Sequence, residues 1–134
     1  MRAENHVIDL HMHSVHSDGT FQTQDLLNML WDKDVDIFSF TDHDSVGCYR
    51  DLKEGKALLY KEVTLIPGVE LTCSVDGNLR DMLGYGIDTS LMESWLDQKY
   101  SPGNRVQKQQ QILERFKEIC REKHLIFDNS IQAT

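Results

Sequence analysis

Two histidines two residues apart, His11 and His13, are the side chains in this sequence whose types and spacing bear most directly on chemistry. They end the run Val7-Ile8-Asp9-Leu10-His11-Met12-His13, which reads as a short strand. Successive side chains of a strand point to opposite faces, so Ile8, Leu10 and Met12 form an apolar row while Asp9, His11 and His13 form the other. Alternate residues stand about 7 Å apart along a strand, near enough for two imidazole tips to reach one cation at about 2.0–2.1 Å. Five residues on, Ser17-Asp18-Gly19 puts a carboxylate before a glycine that lets the chain turn sharply. A pair of surface histidines on an edge strand is the plainer reading, and further donors decide against it. Thr41-Asp42-His43-Asp44 follows an apolar run, and Glu70 follows Pro67-Gly68. Three imidazoles and two carboxylates exceed what one tetrahedral zinc takes, and Glu70 has two oxygens with which to bridge neighbouring ions. Two or three clustered divalent ions are therefore expected.

These donors need elements to hold them. Thr23 reads as an N-cap, with Asp25 in the first turn and Leu26, Leu27 and Leu30 on a buried helical stripe. The run Val35–Phe40 is almost continuously apolar, as in a parallel strand covered on both faces. A helix over about Val46 to Tyr60 follows, then a strand from Val63 to Cys73 interrupted at Pro67-Gly68, and a fourth strand at Met82–Ile87. Ser90-x-x-Glu93 matches a capping box opening a short helix, and a longer helix is expected from about Asn104 to Lys123. Leu125-Ile126-Phe127 could begin one more strand. Strand alternating with helix, and polar residues collected at strand C-termini, is the pattern of an α/β barrel or open parallel sheet.

The composition bounds what the site can serve. The 134 residues, 40% hydrophobic and 27% charged, suit one globular domain spanning 1–134. With 14 basic against 22 acidic side chains, the net charge of −8 argues against holding long nucleic acid on a basic surface. It leaves room for a small anionic substrate, because metal ions invert the local field. No secretory leader or membrane-length apolar run is visible, so no membrane partner and a cytoplasmic location are expected. Cys48, Cys73 and Cys120 lack C-x-x-C spacing and read as reduced, mostly buried thiols.

Taken together, His11-x-His13-Ser14-x-x-Ser17-Asp18-Gly19, Thr41-Asp42-His43-Asp44 and Pro67-Gly68-x-Glu70 closely resemble the PHP (polymerase and histidinol phosphatase) family of metal-dependent phosphoesterases. The run Leu83-Gly84-Tyr85-Gly86-Ile87-Asp88 resembles the branch that hydrolyses nucleotide phosphates or trims short RNA from its 5′ end. The resemblance covers roughly residues 6 to 130. It implies a parallel β/α barrel of the distorted TIM-like, seven-stranded type, of which only the first four or five strands are expected here, as the N-terminal portion of a longer domain. It also implies Zn, Mn or Fe ions, with His11, His13, Asp18 and His43 as ligands and Glu70 as a bridge. Asp81 stands where the family usually has a histidine and is expected to bind metal in its place, the alternative being loss of the third ion.

Other residues receive lesser roles. Asp42 and Asp44 flank His43 and are candidates for acid–base catalysis. Asp9 shares the ligand row deeper in the strand, as a partner to a ligand histidine. Arg105 is a candidate for a substrate phosphate, with Lys108 beside it; a solvated helix face is the alternative. His16 is a weaker candidate within the turn, while His6 and His124 read as structural. The expected function is hydrolysis of a phosphate ester, of a nucleotide or a short oligonucleotide 5′ end. A catalytically impaired remnant serving as a metal-binding or structural module, and an amidohydrolase-like C–N hydrolase, are the alternatives. Unpaired sheet edges are expected to favour self-association.

Overall fold

The computed structural model describes residues 6–60, 62–126, 128 and 130. Contacts divide the chain into two compact units, residues 1–93 and 94–134.

In the first unit β1 (Ile8–Met12), α1 (Thr23–Asp32), β2 (Ile37–Phe40), α2 (Gly47–Lys53) and β3 (Thr64–Leu65) alternate, and the three strands form a parallel sheet in the order β1-β2-β3. The core lies against β2, whose Phe38 and Phe40 are buried with Leu26, Leu27 and Leu30 of α1 and with Val46, Cys48 and Tyr49. That stripe on α1 is the one the leucine spacing predicts. Thr23, however, is the first helical residue and not the cap. It is buried, and its hydroxyl donates to Asp51 Oδ2 at 2.6 Å. The helix stops at a left-handed Asp34, with Val35 N–H donating to Leu30 O.

The second helix is shorter than its sequence pattern. Gly55 takes a φ of +72°, and Gly55 and Lys56 N–H donate to Leu52 and Asp51 carbonyls, which closes α2 well before Tyr60. Pro67 splits the expected third strand into β3 and β4 (Gly68–Val75).

β4 pairs antiparallel with β5 (Asn78–Tyr85), so the fourth strand does not continue the parallel sheet. Asp76 and Gly77 both have positive φ, 50° and 77°, in a two-residue loop. That is the type I′ conformation that Asp-Gly favours in a tight hairpin. Beside the end of the parallel sheet, His43 forms an isolated parallel bridge with Glu70 of the hairpin. A mixed α/β fold with a parallel sheet is therefore present, with three parallel strands and an antiparallel pair among the described residues.

α3 (Thr89–Lys99) is capped by Asp88, whose Oδ1 accepts from Ser90 and Leu91 N–H; Ser90 does not cap it. Glu93, the other half of the expected box, instead takes a salt bridge from Arg50 at 2.8 Å. α4 (Pro102–Glu122) begins with proline in its first turn and ends at a left-handed His124, where Leu125 N–H reaches Cys120 O. Leu125 and Ile126 form no strand, and Phe127 lies outside the described residues. No described helix is long and apolar enough to cross a membrane.

Candidate metal centre

The β1–β2 register explains how the first two histidines are aimed. Asp9 aligns with Phe38 and Met12 with Phe40, so three steps on β1 oppose two on β2. This bulge interrupts the strict alternation of β1 at Leu10 and His11, and such irregularities re-aim side chains. The backbone groups there find other partners: Tyr85 Oη donates to Leu10 O at 2.8 Å, and His11 N–H donates to Asp9 Oδ1 at 3.3 Å. Thr41 then clips the strand end, its N–H donating to Met12 O at 2.9 Å.

Beyond β1 the chain folds back in a tight turn. Ser17 and Gly19 N–H both donate to Ser14 O, at 3.1 and 2.9 Å. A Cβ on Gly19 would run into the backbone of His13 and Ser14, so only glycine lets the turn close this tightly. The closure carries Asp18 over His13, with Oδ1 3.3 Å from His13 Nδ1 and Oδ2 3.6 Å from His43 Nε2.

The donors converge on Glu70. Its Oε2 lies 3.1 Å from His11 Nε2, 3.1 Å from His13 Nε2 and 3.7 Å from His43 Nε2. The two Nε2 atoms of His11 and His13 are 3.0 Å apart, and the rings of His13 and His43 stand 4.7 Å apart between centroids. Asp81, opposite Thr72 in the hairpin, accepts from the Thr72 hydroxyl at 3.0 Å. Three overlapping sets of donors result: His11, His13 and Glu70; His13, Asp18 and His43; His43, Glu70 and Asp81. The structure thus brings together all six residues singled out as ligands.

The donor set fits a divalent cation. Ligands held about 2.0–2.1 Å from a tetrahedral centre stand about 3.4 Å from one another, near the spacing of His11, His13 and Glu70. Glu70 retains only 11% side-chain exposure, and a buried carboxylate needs compensating charge. His13 Nδ1 is shut off from water and makes no hydrogen bond. A cation among His11, His13 and Glu70 supplies the charge that the carboxylate needs, while His13 Nδ1 faces the second set, 3.3 Å from Asp18 Oδ1. Asp18, with 67% exposure, leaves that side open to solvent and to an incoming ligand.

Other sequence candidates are placed differently. Asp42 is 1% exposed and spends its carboxylate on the chain itself: Oδ1 accepts from Ser14 N–H at 2.7 Å and Ser17 Oγ at 2.6 Å, Oδ2 from Ser14 Oγ at 2.8 Å and Cys48 Sγ at 3.3 Å. Such an anchored group is poorly suited to the proton transfers expected of it. Asp44 has a left-handed φ of 44°, its N–H donates to Glu70 O at 2.8 Å, and its Oδ1 takes Thr72 N–H at 3.4 Å, so it too is seen holding backbone at the seam. Asp9 serves the His11 backbone and not an imidazole. Arg105 is an exposed residue in the first turn of α4, in the second unit. His16 turns away from the donors to Asp51 Oδ2 at 2.6 Å, and His6 pairs with Asp36. Burial works against the Asp51 charge, but hydrogen bonds from Thr23 and His16 hold its carboxyl below the usual value.

Sequence reading missed Ser14, Ser17 and Tyr49. Tyr49 Oη donates to Phe40 O at 2.6 Å and accepts Gly68 N–H at 2.7 Å, tying the end of β2 to the start of β4. No sequence pattern flagged Tyr49, whereas the serines sit inside the His11–Gly19 motif and could have been read as its fasteners.

No family model matches the chain. A curated relative, 5′-3′ exoribonuclease Rnm of Escherichia coli (strain K12), is 30% identical over 111 residues, which is 81% of this chain and 37% of the relative. A solved metal-dependent phosphoesterase, so described, from Bifidobacterium adolescentis superposes with a TM-score of 0.54 at 21% identity, over 83% of this chain and 38% of the other. An amidohydrolase from Chromobacterium violaceum, with bound sulfate and no metal, gives a TM-score of 0.54 at 24% identity, over 68% of this chain and 32% of the other. The two structures share this chain's fold. The chain spans about a third of the length of each of these proteins.

Proposed function

We propose that the chain carries the metal-binding part of a PHP-type phosphoesterase that hydrolyses phosphate esters of nucleotides or the 5′ ends of short oligonucleotides, with two or three Zn, Mn or Fe ions. The observation that carries this reading is the convergence of three imidazole Nε2 atoms on one nearly buried carboxylate, with Asp18 and Asp81 extending the cluster on either side. The resemblance to an exoribonuclease and to a phosphoesterase agrees in kind with a phosphate ester.

Bound divalent ions would supply Lewis acidity toward phosphoryl oxygens. His11, His13 and Glu70 would hold one, and Asp18 and His43, beside His13, would contribute to a neighbouring one. The shared residues force the two sets close together. Glu70 and His43, also members of the third set with Asp81, would couple all three. The exposed side at Asp18 gives a phosphate its approach, while the buried floor under Glu70 keeps the ligands from being swept by bulk water. In this reading the net charge of −8 and the three carboxylates of the cluster make anion binding depend on the ions.

The test is hydrolysis by the purified chain, loaded in turn with Mn, Zn or Fe, of a 5′-phosphorylated dinucleotide, with products separated by chromatography. Ion-dependent release of phosphate or mononucleotide, lost with His13→Ala, is expected. A metal-loaded chain that leaves the dinucleotide intact but opens a cyclic amide would replace this reading with a C–N hydrolase.

A further inference from the structure

We infer that Asp42 is a positioning residue for one donor set, His13, Asp18 and His43, and that its buried carboxylate selects that set over the one made by His43, Glu70 and Asp81. The inference rests on the proposed reading of the cluster as a metal centre.

All three members of the first set lie one residue away from the same knot. Asp42 precedes His43. Its Oδ1 and Oδ2 together grip Ser14, the residue after His13, through both N–H and hydroxyl, at 2.7 and 2.8 Å. Its Oδ1 also accepts from Ser17 Oγ at 2.6 Å, and Ser17 precedes Asp18. One carboxylate therefore sets where three donors from two separate segments, 13–18 and 43, stand with respect to each other. A carboxylate suits this task because it offers about four acceptor sites and no proton, and the donors occupy both its oxygens. Its burial beside Ser14 and Cys48, each fully enclosed, keeps water from competing for those bonds.

The other set is held by different means. Glu70 and Asp81 sit on the hairpin, where Glu70 N–H donates to the Asp42 backbone carbonyl at 3.2 Å and Asp44 N–H to Glu70 O at 2.8 Å. Those bonds run through main chain and survive loss of the Asp42 side-chain charge. Thr72 Oγ1 orients Asp81 without any part of the 14–19 turn.

Two variants separate this role from general scaffolding. Asp42→Asn puts an amide where Ser14 Oγ and Cys48 now donate. Ser17→Ala removes only the fastener beside Asp18 and leaves the rest of the knot intact. The metal-free proteins would be compared by thermal unfolding and circular dichroism, then dialysed against buffered free Zn²⁺ and assayed for bound zinc. Ser17→Ala is expected to unfold like the wild type in the metal-free state and Asp42→Asn to fold but unfold earlier, because the buried Ser14 and Cys48 donors meet an amide. Both are expected to retain one equivalent less zinc, with affinity for that ion down 10- to 100-fold, the usual cost of losing a group that orients a ligand. Asp81→Asn should lower the affinity of a different ion, so that the double variant Ser17→Ala/Asp81→Asn shows both losses. Zinc retention equal to wild type in Ser17→Ala and Asp42→Asn would overturn the inference while leaving the metal centre standing. A parallel fall of every ion's affinity would also overturn it. A wild-type chain that takes up no zinc would remove the metal centre itself, and this inference with it.

Discussion

Removing one oxygen from Tyr49 should cost the first unit a large share of its stability. The hydroxyl donates to Phe40 O at 2.6 Å and accepts Gly68 N–H at 2.7 Å, with Tyr49 only 8% exposed and Phe40 1%. In Tyr49→Phe the ring keeps its edge-on contact with Phe40, 5.9 Å between centroids at 74°, so little packing is lost. What changes is that the buried Gly68 N–H loses its partner and the Phe40 carbonyl keeps only the longer bond from Ser39 Oγ at 3.4 Å. A fully stranded group costs about 1–3 kcal/mol and the carbonyl is only partly stranded, so a total of about 2–4 kcal/mol is expected against the 5–15 kcal/mol that folded domains typically have. Urea unfolding of the metal-free protein, followed by circular dichroism, measures it as a lowered midpoint with unchanged slope. Tyr60→Phe is the control, since that hydroxyl meets only exposed Asn28 and should change stability by less than about 0.5 kcal/mol. Burial also pushes the Tyr49 phenol above its ordinary value of 10.0. The unfolded chain therefore releases this proton first, and the Tyr49 contribution, complete below pH 10, is lost as the pH rises further. Tyr49→Phe should lack that part of the alkaline decline. A loss below 0.5 kcal/mol, or an alkaline limb identical to wild type, would refute the assignment of Tyr49 as the fastener between β2 and β4.

His13 belongs to two donor sets and His11 to one, so His13→Ala should remove more metal than His11→Ala; elemental analysis after gel filtration would show the order, and equal losses would contradict the shared-donor geometry. Cys48 is fully enclosed and desolvation pushes its thiol up from 9.0 to about 12, so iodoacetamide at pH 8.5 should leave it unmodified in the folded chain and label it promptly in urea, as read by peptide mass. Its stability contribution is intact below pH 9 and fades between there and pH 12. The outer edge of β5 has no partner among the described residues and carries the exposed Leu79 and Met82, so light scattering over a dilution series should show a concentration-dependent mass above 15.5 kDa; a constant 15.5 kDa would argue that Arg80 and Asp81 are charge enough to keep the edge single.

The donors were legible because their chemistry is local. A histidine pair at strand spacing, an Asp-Gly turn after it, and acidic or imidazole groups at the ends of apolar runs each declare themselves within a few residues, and the parallel β1-β2-β3 order that joins them follows from alternation of strand and helix. The hairpin was hidden for a different reason. Val75-Asp76-Gly77-Asn78 is an explicit turn signal, but the polar residues around it, Ser74 and Arg80-Asp81, conceal that the strands expected on either side run on to it, as the exposed ends of β4 and β5. The bulge at Leu10-His11 was invisible because a backbone carbonyl freed there takes its partner, the Tyr85 hydroxyl, from 75 positions away. Asp42 looked catalytic since it adjoins His43, and only the positions of Ser14 and Ser17 in space reveal that its lone pairs are already taken. α2 ended early on Gly55, a stop that apolar spacing alone runs through.

The Tyr85 hydroxyl reaches Leu10 across 75 positions of sequence, and Glu70 reaches His11 across 59. Contacts of that span form late, since the entropy of closing a long loop must be met before they return anything. A nascent or refolding chain therefore has His11, His13 and Asp18 near one another early, but lacks Glu70, the carboxylate on which the imidazoles converge, until the hairpin arrives. Metal capture should consequently be gated by the arrival of β4 and β5. In a stopped-flow experiment with cobalt as the reporter, the visible absorbance of the complete centre would rise with the slowest folding phase, and the ion would register when the two sheets close on each other.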